Sequence, residues 1–207
     1  SREWSAIAGN EKLWKNETPR NDHQPHSLSR VAFRRRGRLS EVVMQHGGAV
    51  LGFAIDKYCY ISIRPLPQFF EHRHRIVYSE VECVNDIADI QHPAVRAVLQ
   101  DQQVDTGLEI HHDGDLPARS GLGSSSSFTV GMLNALYALR GAMIDKQKLA
   151  QEAIHIEQQV IGEAVGSQDQ VWAAFGGINR IDFPIAGDFQ VRSLVMPEER
   201  RQEQIGR

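Results

Sequence analysis

Long apolar runs are missing from this sequence. Nowhere does it hold the roughly 18 consecutive apolar residues of a membrane-spanning helix. Residues 1–22, SREWSAIAGNEKLWKNETPRND, contain no apolar stretch that could act as a secretion signal. Cysteine is scarce: Cys59 and Cys83 are the only two, too few for a disulfide framework, so a reducing, cytoplasmic compartment is expected. Excess positive charge is lacking as well. A formal net charge of −3 argues against a dedicated nucleic-acid binder, and neither nucleic acid nor membrane is expected as a partner.

What remains is ordinary globular material. The 207 residues are 41% hydrophobic and 24% charged, which suits one domain, or one domain and part of a second. Charge is unevenly spread. Residues 1–40 carry nine Lys and Arg against four Asp and Glu, whereas the remainder carries 14 against 22. Residues 1–29 are polar with little periodicity, and Arg34, Arg35, Arg36 and Arg38 form a short basic run read as a solvated loop. Residues 1–45 are therefore expected to be an atypical segment, disordered or scrambled.

From Gly47 onward the pattern becomes that of a fold. AVLGFAIDKYCYISIRPL (49–66) is apolar, aromatic and β-branched, predicting one long strand or a bent pair. HRIVYSEVECV (74–84) predicts a second strand, PAVRAVL (93–99) a short helix with Pro93 in its first turn, and GLEIHHDGD (107–115) a strand with Glu109 and His111 on a wet face. Phe128, Met132, Leu136 and Leu139 mark one face of a helix N-capped by serines. Leu149, Ala153, Ile156 and Val160 mark a second helix over 146–161. VWAAF (171–175) is a third helical piece, and a hairpin turns near Ala186 and Gly187. Strands, then helices, then strands predict an α+β layer fold. Cys59, Cys83, Trp172 and Phe175 read as core, His72 and His74 as a surface loop, and His155 as helix surface.

The segment richest in chemistry is PARSGLGSSSS (117–127). Gly121 and Gly123 remove side chains from a turn and permit positive φ, and the helix behind them offers free N–H groups and a positive dipole end. This is how an anion is held. Serine hydroxyls add hard oxygen donors suited to phosphate surroundings or Mg²⁺. No Gly-Lys-Ser/Thr follows, so the loop is not a Walker A motif. A glycine- and serine-capped helix that binds nothing has the same composition.

With its flanks, this segment resembles the nucleotide-binding motif of the GHMP kinases, the superfamily of galactokinase, homoserine, mevalonate and phosphomevalonate kinases. HGGAVLGFAIDKYCYI (46–61), GLEIHHDGDLPARSGLGSSSSFTVG (107–131) and VGSQDQVWAAFGGINRI (165–181) resemble its bacterial sugar-kinase branch, the D-glycero-D-manno-heptose 7-phosphate kinase type. The resemblance runs over about residues 46–203. It implies a two-layer N-terminal domain like the second domain of ribosomal protein S5, a mixed sheet packed on helices, over 46–195. Residues 196–207 would begin a C-terminal domain. It implies ATP and Mg²⁺ as cofactors and a sugar phosphate as substrate. The best guess is D-glycero-D-manno-heptose 7-phosphate, phosphorylated at its anomeric hydroxyl for nucleotide-activated heptose and surface polysaccharide.

By the same resemblance, Pro117, Gly121, Leu122, Gly123, Ser124, Ser125, Ser126 and Ser127 would hold the ATP phosphates. Ser125 and Glu157 would be metal ligands, and Asp169 the catalytic base or positioning carboxylate. The residues alone leave Glu157 open as an exposed helix acid and Asp169 as an N-cap. Alternatives are a fucose- or galactose-type kinase of the same superfamily, or a non-catalytic nucleotide-binding fragment.

Two departures from the family pattern stand out. Where this branch carries a glycine-rich stretch ending in Thr-Asp, the sequence reads Arg30, Val31, Ala32, Phe33 and then the arginine run. Glycine codons GGC read one frame over give CGG, arginine, so frame-shifted text before residue 45 is expected, and resequencing the source DNA tests it. Family members also continue for well over a hundred residues past MPEERRQEQIGR. Little turnover by this chain alone is therefore expected, because catalysis needs groups positioned from both sides of a cleft.

Overall fold

The computed structural model describes residues 6–7, 26–30, 47–115 and 122–195. Pro117, Arg119, Gly121, the arginines at 34–36 and the tail from 196 lie outside these described residues. The organising element is an 18-residue strand, β3 (Gly48–Pro65). Its second half alternates strictly: Cys59, Ile61 and Ile63 are buried, while Tyr60, Ser62 and Arg64 are not. Such alternation puts one face of a strand in the core and the other at the surface.

Two earlier strands, β1 (Ala6–Ile7) and β2 (His26–Arg30), pair with β3. Beyond it come β4 (His74–Val77), β5 (Val81–Val84), helix α1 (Pro93–Asp101), β6 (Leu108–Gly114), α2 (Ser124–Leu139), α3 (Lys146–His155), α4 (Gln168–Phe175), β7 (Ile178–Phe183) and β8 (Gln190–Ser193). The sheet runs β5-β4-β6-β3-β7-β8. β4 lies parallel to β6 and the other described pairings are antiparallel, which makes the sheet mixed. One hydrophobic cluster joins Ile61, Ile63 and Ile110 of the sheet to Phe128, Met132 and Leu136 of α2, Val95 and Leu99 of α1, and Ala153 and Trp172 of α3 and α4. The fold is α+β, with helices layered on a mixed sheet. Among the described residues no helix is long and apolar enough to cross a membrane.

Several details differ from the sequence-based expectations. Residues 74–84 are a hairpin rather than one strand, with β4 and β5 paired antiparallel about a turn at 78–80. His74 is therefore a buried strand residue, not part of a surface loop. Cys59 is buried but Cys83 is exposed, because β5 directs alternate side chains outward. Glu109 was placed on a wet face, yet it is only 3% exposed. It accepts a hydrogen bond from Arg64 Nε at 2.6 Å, bonds His111 Nε2 at 2.9 Å and lies 3.4 Å from Arg75. Charged neighbours rather than core cover it.

Glu82 joins the hairpin to α1. Its carboxylate accepts the backbone N–H groups of Gln91 (2.5 Å) and His92 (3.0 Å) and the hydroxyl of Tyr78 (2.9 Å). At the other end of the domain, α4 is seated by shape. The indole of Trp172 lies so close over Gly52 that a Cβ there would fall inside the ring's van der Waals envelope. A strand glycine thus marks a close approach, and it fixes the helix that follows the 162–167 connector.

Candidate phosphate and cation site

Helix α2 opens on Gly123, whose φ of 74° is left-handed. Glycine tolerates this conformation without strain. Ser124–Ser127 were expected to cap the helix. Instead Gly123 is the N-cap, no side chain caps it, and the four serines form the first helical turn. Its leading N–H groups therefore have no side-chain cap from the N-cap residue, and they point where the helix dipole favours an anion. Leu122 and Ser124 are half-buried and Ser125 is exposed, so this end is open to solvent. Ser126 and Ser127 turn inward and are buried. Thr129, one turn on, donates its hydroxyl to the Ser125 carbonyl at 3.2 Å.

The predicted helix over 146–161 is regular only as far as His155. It then widens into a π-helical turn, Ile156–Val160, closed by the N–H of Ile161 on the carbonyl of Ile156 at 2.8 Å. Wide turns of this kind are rare and occur often at functional sites. The change of winding takes Val160 off the predicted apolar stripe and leaves it 40% exposed. Glu157, four residues on from buried Ala153, faces inward and is 1% exposed, so it is not the exposed helix acid that the residues alone allowed.

Three elements meet at this carboxylate. Glu157 Oε2 accepts the Ser126 hydroxyl from α2 at 3.0 Å and the Gln170 amide Nε2 from α4 at 2.6 Å. Oε1 is buried and, among the described residues, has no hydrogen-bond partner. Burial pushes the Glu157 carboxyl up from the ordinary glutamate value; the Ser126 and Thr129 hydroxyls and the Gln170 amide pull it back, and Glu163 adds to the rise. The net direction is upward. A buried carboxylate with one oxygen clamped and the other unpartnered is suited to a hard cation, because such charge is costly to leave uncompensated. Among the described residues no three His, Cys, Asp or Glu side chains cluster as a metal cage. A cation here would lean on one carboxylate, hydroxyls and its own ligand oxygens, in the manner of Mg²⁺ bound beside phosphates.

Asp169 sits in the first turn of α4, next to Gln170. The N-cap of that helix is Ser167, so Asp169 is not a cap. Its side chain is half-buried, and burial raises its carboxyl above the ordinary aspartate value. The connector before it is tied down by Gln158, whose amide donates to the Val165 carbonyl and the Ser167 hydroxyl, both at 3.0 Å. Glu157 and the start of α4 are thereby brought together although 12 positions separate Glu157 from Asp169.

Of the residues expected to bind phosphate or metal, the structure places Leu122, Gly123 and Ser124–Ser127 at one helix end and brings that end to Glu157. Ser126, not Ser125, touches Glu157. Gln170, fully buried beneath Glu157, was not singled out. Its only signal in the sequence is its place beside Asp169 at the polar start of an apolar helix. His92 and His112 pack against Phe128 of the same helix, one tilted and one edge-on, with ring centroids 4.7 and 4.8 Å away. Burial lowers both histidines and favours the neutral rings.

The chain is similar to known proteins over much of its length. Residues 89–177 match the family model "GHMP kinases N terminal domain". A D-glycero-alpha-D-manno-heptose 7-phosphate kinase of Campylobacter jejuni is 36% identical over 76 residues, 37% of this chain and 22% of that protein. A galactokinase of Thermococcus kodakarensis is 32% identical over 162 residues, 73% of this chain and 45% of that protein. The chain thus spans less than half the length of these curated relatives. Among solved structures, a D-glycero-D-manno-heptose 1-phosphate kinase from Bacteroides thetaiotaomicron superposes with a TM-score of 0.72 at 23% identity, covering 84% of this chain and 60% of that one.

Proposed function

We propose that this chain, a member of the GHMP kinases through the N-terminal domain in its residues 89–177, is the ATP-binding part of a kinase that phosphorylates a sugar or sugar phosphate. The observation that carries this reading is the meeting at Glu157. An uncapped helix N-terminus, a buried carboxylate with a free oxygen, and the helix carrying Asp169 converge on one place. Phosphoryl transfer asks for these parts: donors for phosphate oxygens, an anchor for a divalent cation, and a carboxylate to orient the nucleophile.

In this reading the N–H groups of α2 and the serine hydroxyls hold the triphosphate. Glu157, with Ser125 and Ser126 at hand, holds Mg²⁺, which when bound neutralises phosphate charge. Asp169 faces the acceptor. As the acceptor oxygen bonds to the γ-phosphorus and the bond to ADP breaks, the hydroxyl proton passes to Asp169. Burial raises Asp169 towards the range useful for taking that proton.

The acceptor we favour is D-glycero-D-manno-heptose 7-phosphate at its anomeric hydroxyl. Similarity to the C. jejuni heptose 7-phosphate kinase supports it, and nucleotide-activated heptose for surface polysaccharide would be the product's use. Galactose is the second candidate, because the T. kodakarensis relative covers more of the chain. Residues 46–195 would form this domain, with 196–207 leading into another. The free thiols of Cys59 and Cys83 are in keeping with a cytoplasmic location.

The test has two stages. Binding of a nonhydrolysable ATP analogue is measured by calorimetry with and without Mg²⁺, on the parent and on Gly123→Val. Binding that depends on Mg²⁺ and is lost in the variant is expected; equal binding by both overturns the site. Transfer from labelled ATP is then screened against heptose 7-phosphate, galactose and fucose, with Asp169→Ala as control. Analogue binding without transfer to any sugar, even when the C-terminal half of a relative is supplied, favours the non-catalytic nucleotide-binding alternative.

A further inference from the structure

Gln170 is completely buried, and its side chain does no work for its own helix. Its amide Nε2 reaches across to Glu157 Oε2 at 2.6 Å, while its own Oε1 has no partner among the described residues. Ser126 donates to the same oxygen from the opposite helix at 3.0 Å. Both donors converge on Oε2 and neither reaches Oε1. A carboxylate left to itself turns about its terminal torsion and can offer either oxygen or both. Two donors on one oxygen remove that freedom.

We propose that Gln170 is a positioning residue that, together with Ser126, clamps Glu157 Oε2 so that Oε1 alone is presented to a divalent cation. The clamp also has a second end. Gln170 follows Asp169 directly in the first turn of α4, so the contact that orients the cation-binding carboxylate sets the position of the helix bearing Asp169. An amide suits the task better than a carboxylate or an alkyl chain of similar size. It can donate to Glu157 without adding charge, whereas a second carboxylate at that distance would repel, and an apolar group would leave Oε2 short of a donor. This proposal rests on the cation role given to Glu157 under the kinase reading.

The experiment uses Mn²⁺ as probe, read by the electron-spin signal of the free ion, on the 207-residue chain with the nonhydrolysable ATP analogue present. Outer partners of metal ligands typically contribute about 10–100-fold to metal affinity. Gln170→Met, close in volume but without the donor, should weaken Mn²⁺ binding at least about 10-fold while still unfolding in one cooperative transition, below the parent's because a buried acceptor has lost its donor. Should Gln170→Met fail to fold, the parent decides: addition of Mg²⁺ should shift the side-chain amide resonance of Gln170 in a nitrogen-15 spectrum.

Gln170→Met binding Mn²⁺ as tightly as the parent, while Glu157→Gln does not bind it, overturns the clamp and leaves the kinase reading standing. A Gln170 resonance that ignores Mg²⁺ which the chain binds does the same. Mn²⁺ that binds neither parent nor variants overturns the cation role of Glu157, and the clamp with it.

Discussion

Trp172 of α4 lies across Gly52 of β3 with no room for even a methyl group between them. The contact joins the longest strand of the sheet to the helix that carries Asp169 and Gln170. Gly52→Ala must push the indole or the strand aside, and overpacking of this kind costs about 1–3 kcal/mol. The reverse change, Trp172→Ala, empties a fully buried site and should cost about 3–5 kcal/mol. Urea unfolding of both variants checks the pair. The Gly52 variant should also bind nucleotide more weakly, because α4 is displaced.

Glu157 makes a prediction of opposite sign to the usual one for a native carboxylate. Burial raises its carboxyl in the folded chain above the ordinary 4.5, so the folded state holds its proton longer than the unfolded state. Stability from this group is greatest below pH 4.5 and falls as pH rises through the folded value. Glu157→Gln, whose carbonyl can still accept from Ser126 and Gln170, should therefore melt higher than the parent at neutral pH in the absence of divalent cations. The gap should close towards pH 4. Thermal melts in chelator across that range test it, and a variant less stable than the parent at pH 7 would contradict it.

Glu109 behaves the other way. Burial pushes its carboxyl up, but hydrogen bonds from His111 and Arg64 outweigh this and hold it below the ordinary value. Its contribution is thus present above pH 4.5 and lost as pH falls through the lowered folded value. Arg64 and Arg75 are 48% and 39% exposed, so solvent screens part of the pairing. Glu109→Gln should cost about 1–2 kcal/mol at pH 7, less in acid and less in high salt, as read by denaturant midpoints.

The two thiols should part company in a labelling experiment. Cys83 is exposed, while burial raises the Cys59 thiol to about 12. Since the thiolate is the reactive form, a maleimide should modify Cys83 within minutes and Cys59 only on unfolding. Mass spectrometry of the native and denatured chain distinguishes the two sites.

Much of the fold was legible because it rests on period. Alternation in residues 59–64 and the four-residue recurrence of Phe128, Met132 and Leu136 each specify a face, and the structure buries those faces. The 74–84 segment was misread because Tyr78, Ser79 and Glu80 carry no glycine or proline to announce a turn. Glu109 runs against this expectation because alternation says which way a side chain points, not what covers it; two arginines from neighbouring strands and His111 of β6 itself do so. In the site, the glycine–serine segment announced itself, but the partnership of Ser126, Glu157 and Gln170 did not. It joins side chains from three separate elements, and no residue preference marks the widening at 156–160 between Glu157 and the start of α4.

That wide turn places comfort and usefulness at odds. Taking one residue out of 156–160 would let the chain wind on as an ordinary α-helix, with tighter and better-aligned backbone bonds. Everything after the deletion would then swing by about 100° relative to α3, and the carboxylate and the chain leading to α4 could no longer both keep their places. A shortened version that melts higher yet has lost its grip on divalent ions would reveal the irregularity as a tolerated local defect, kept because the pocket needs it.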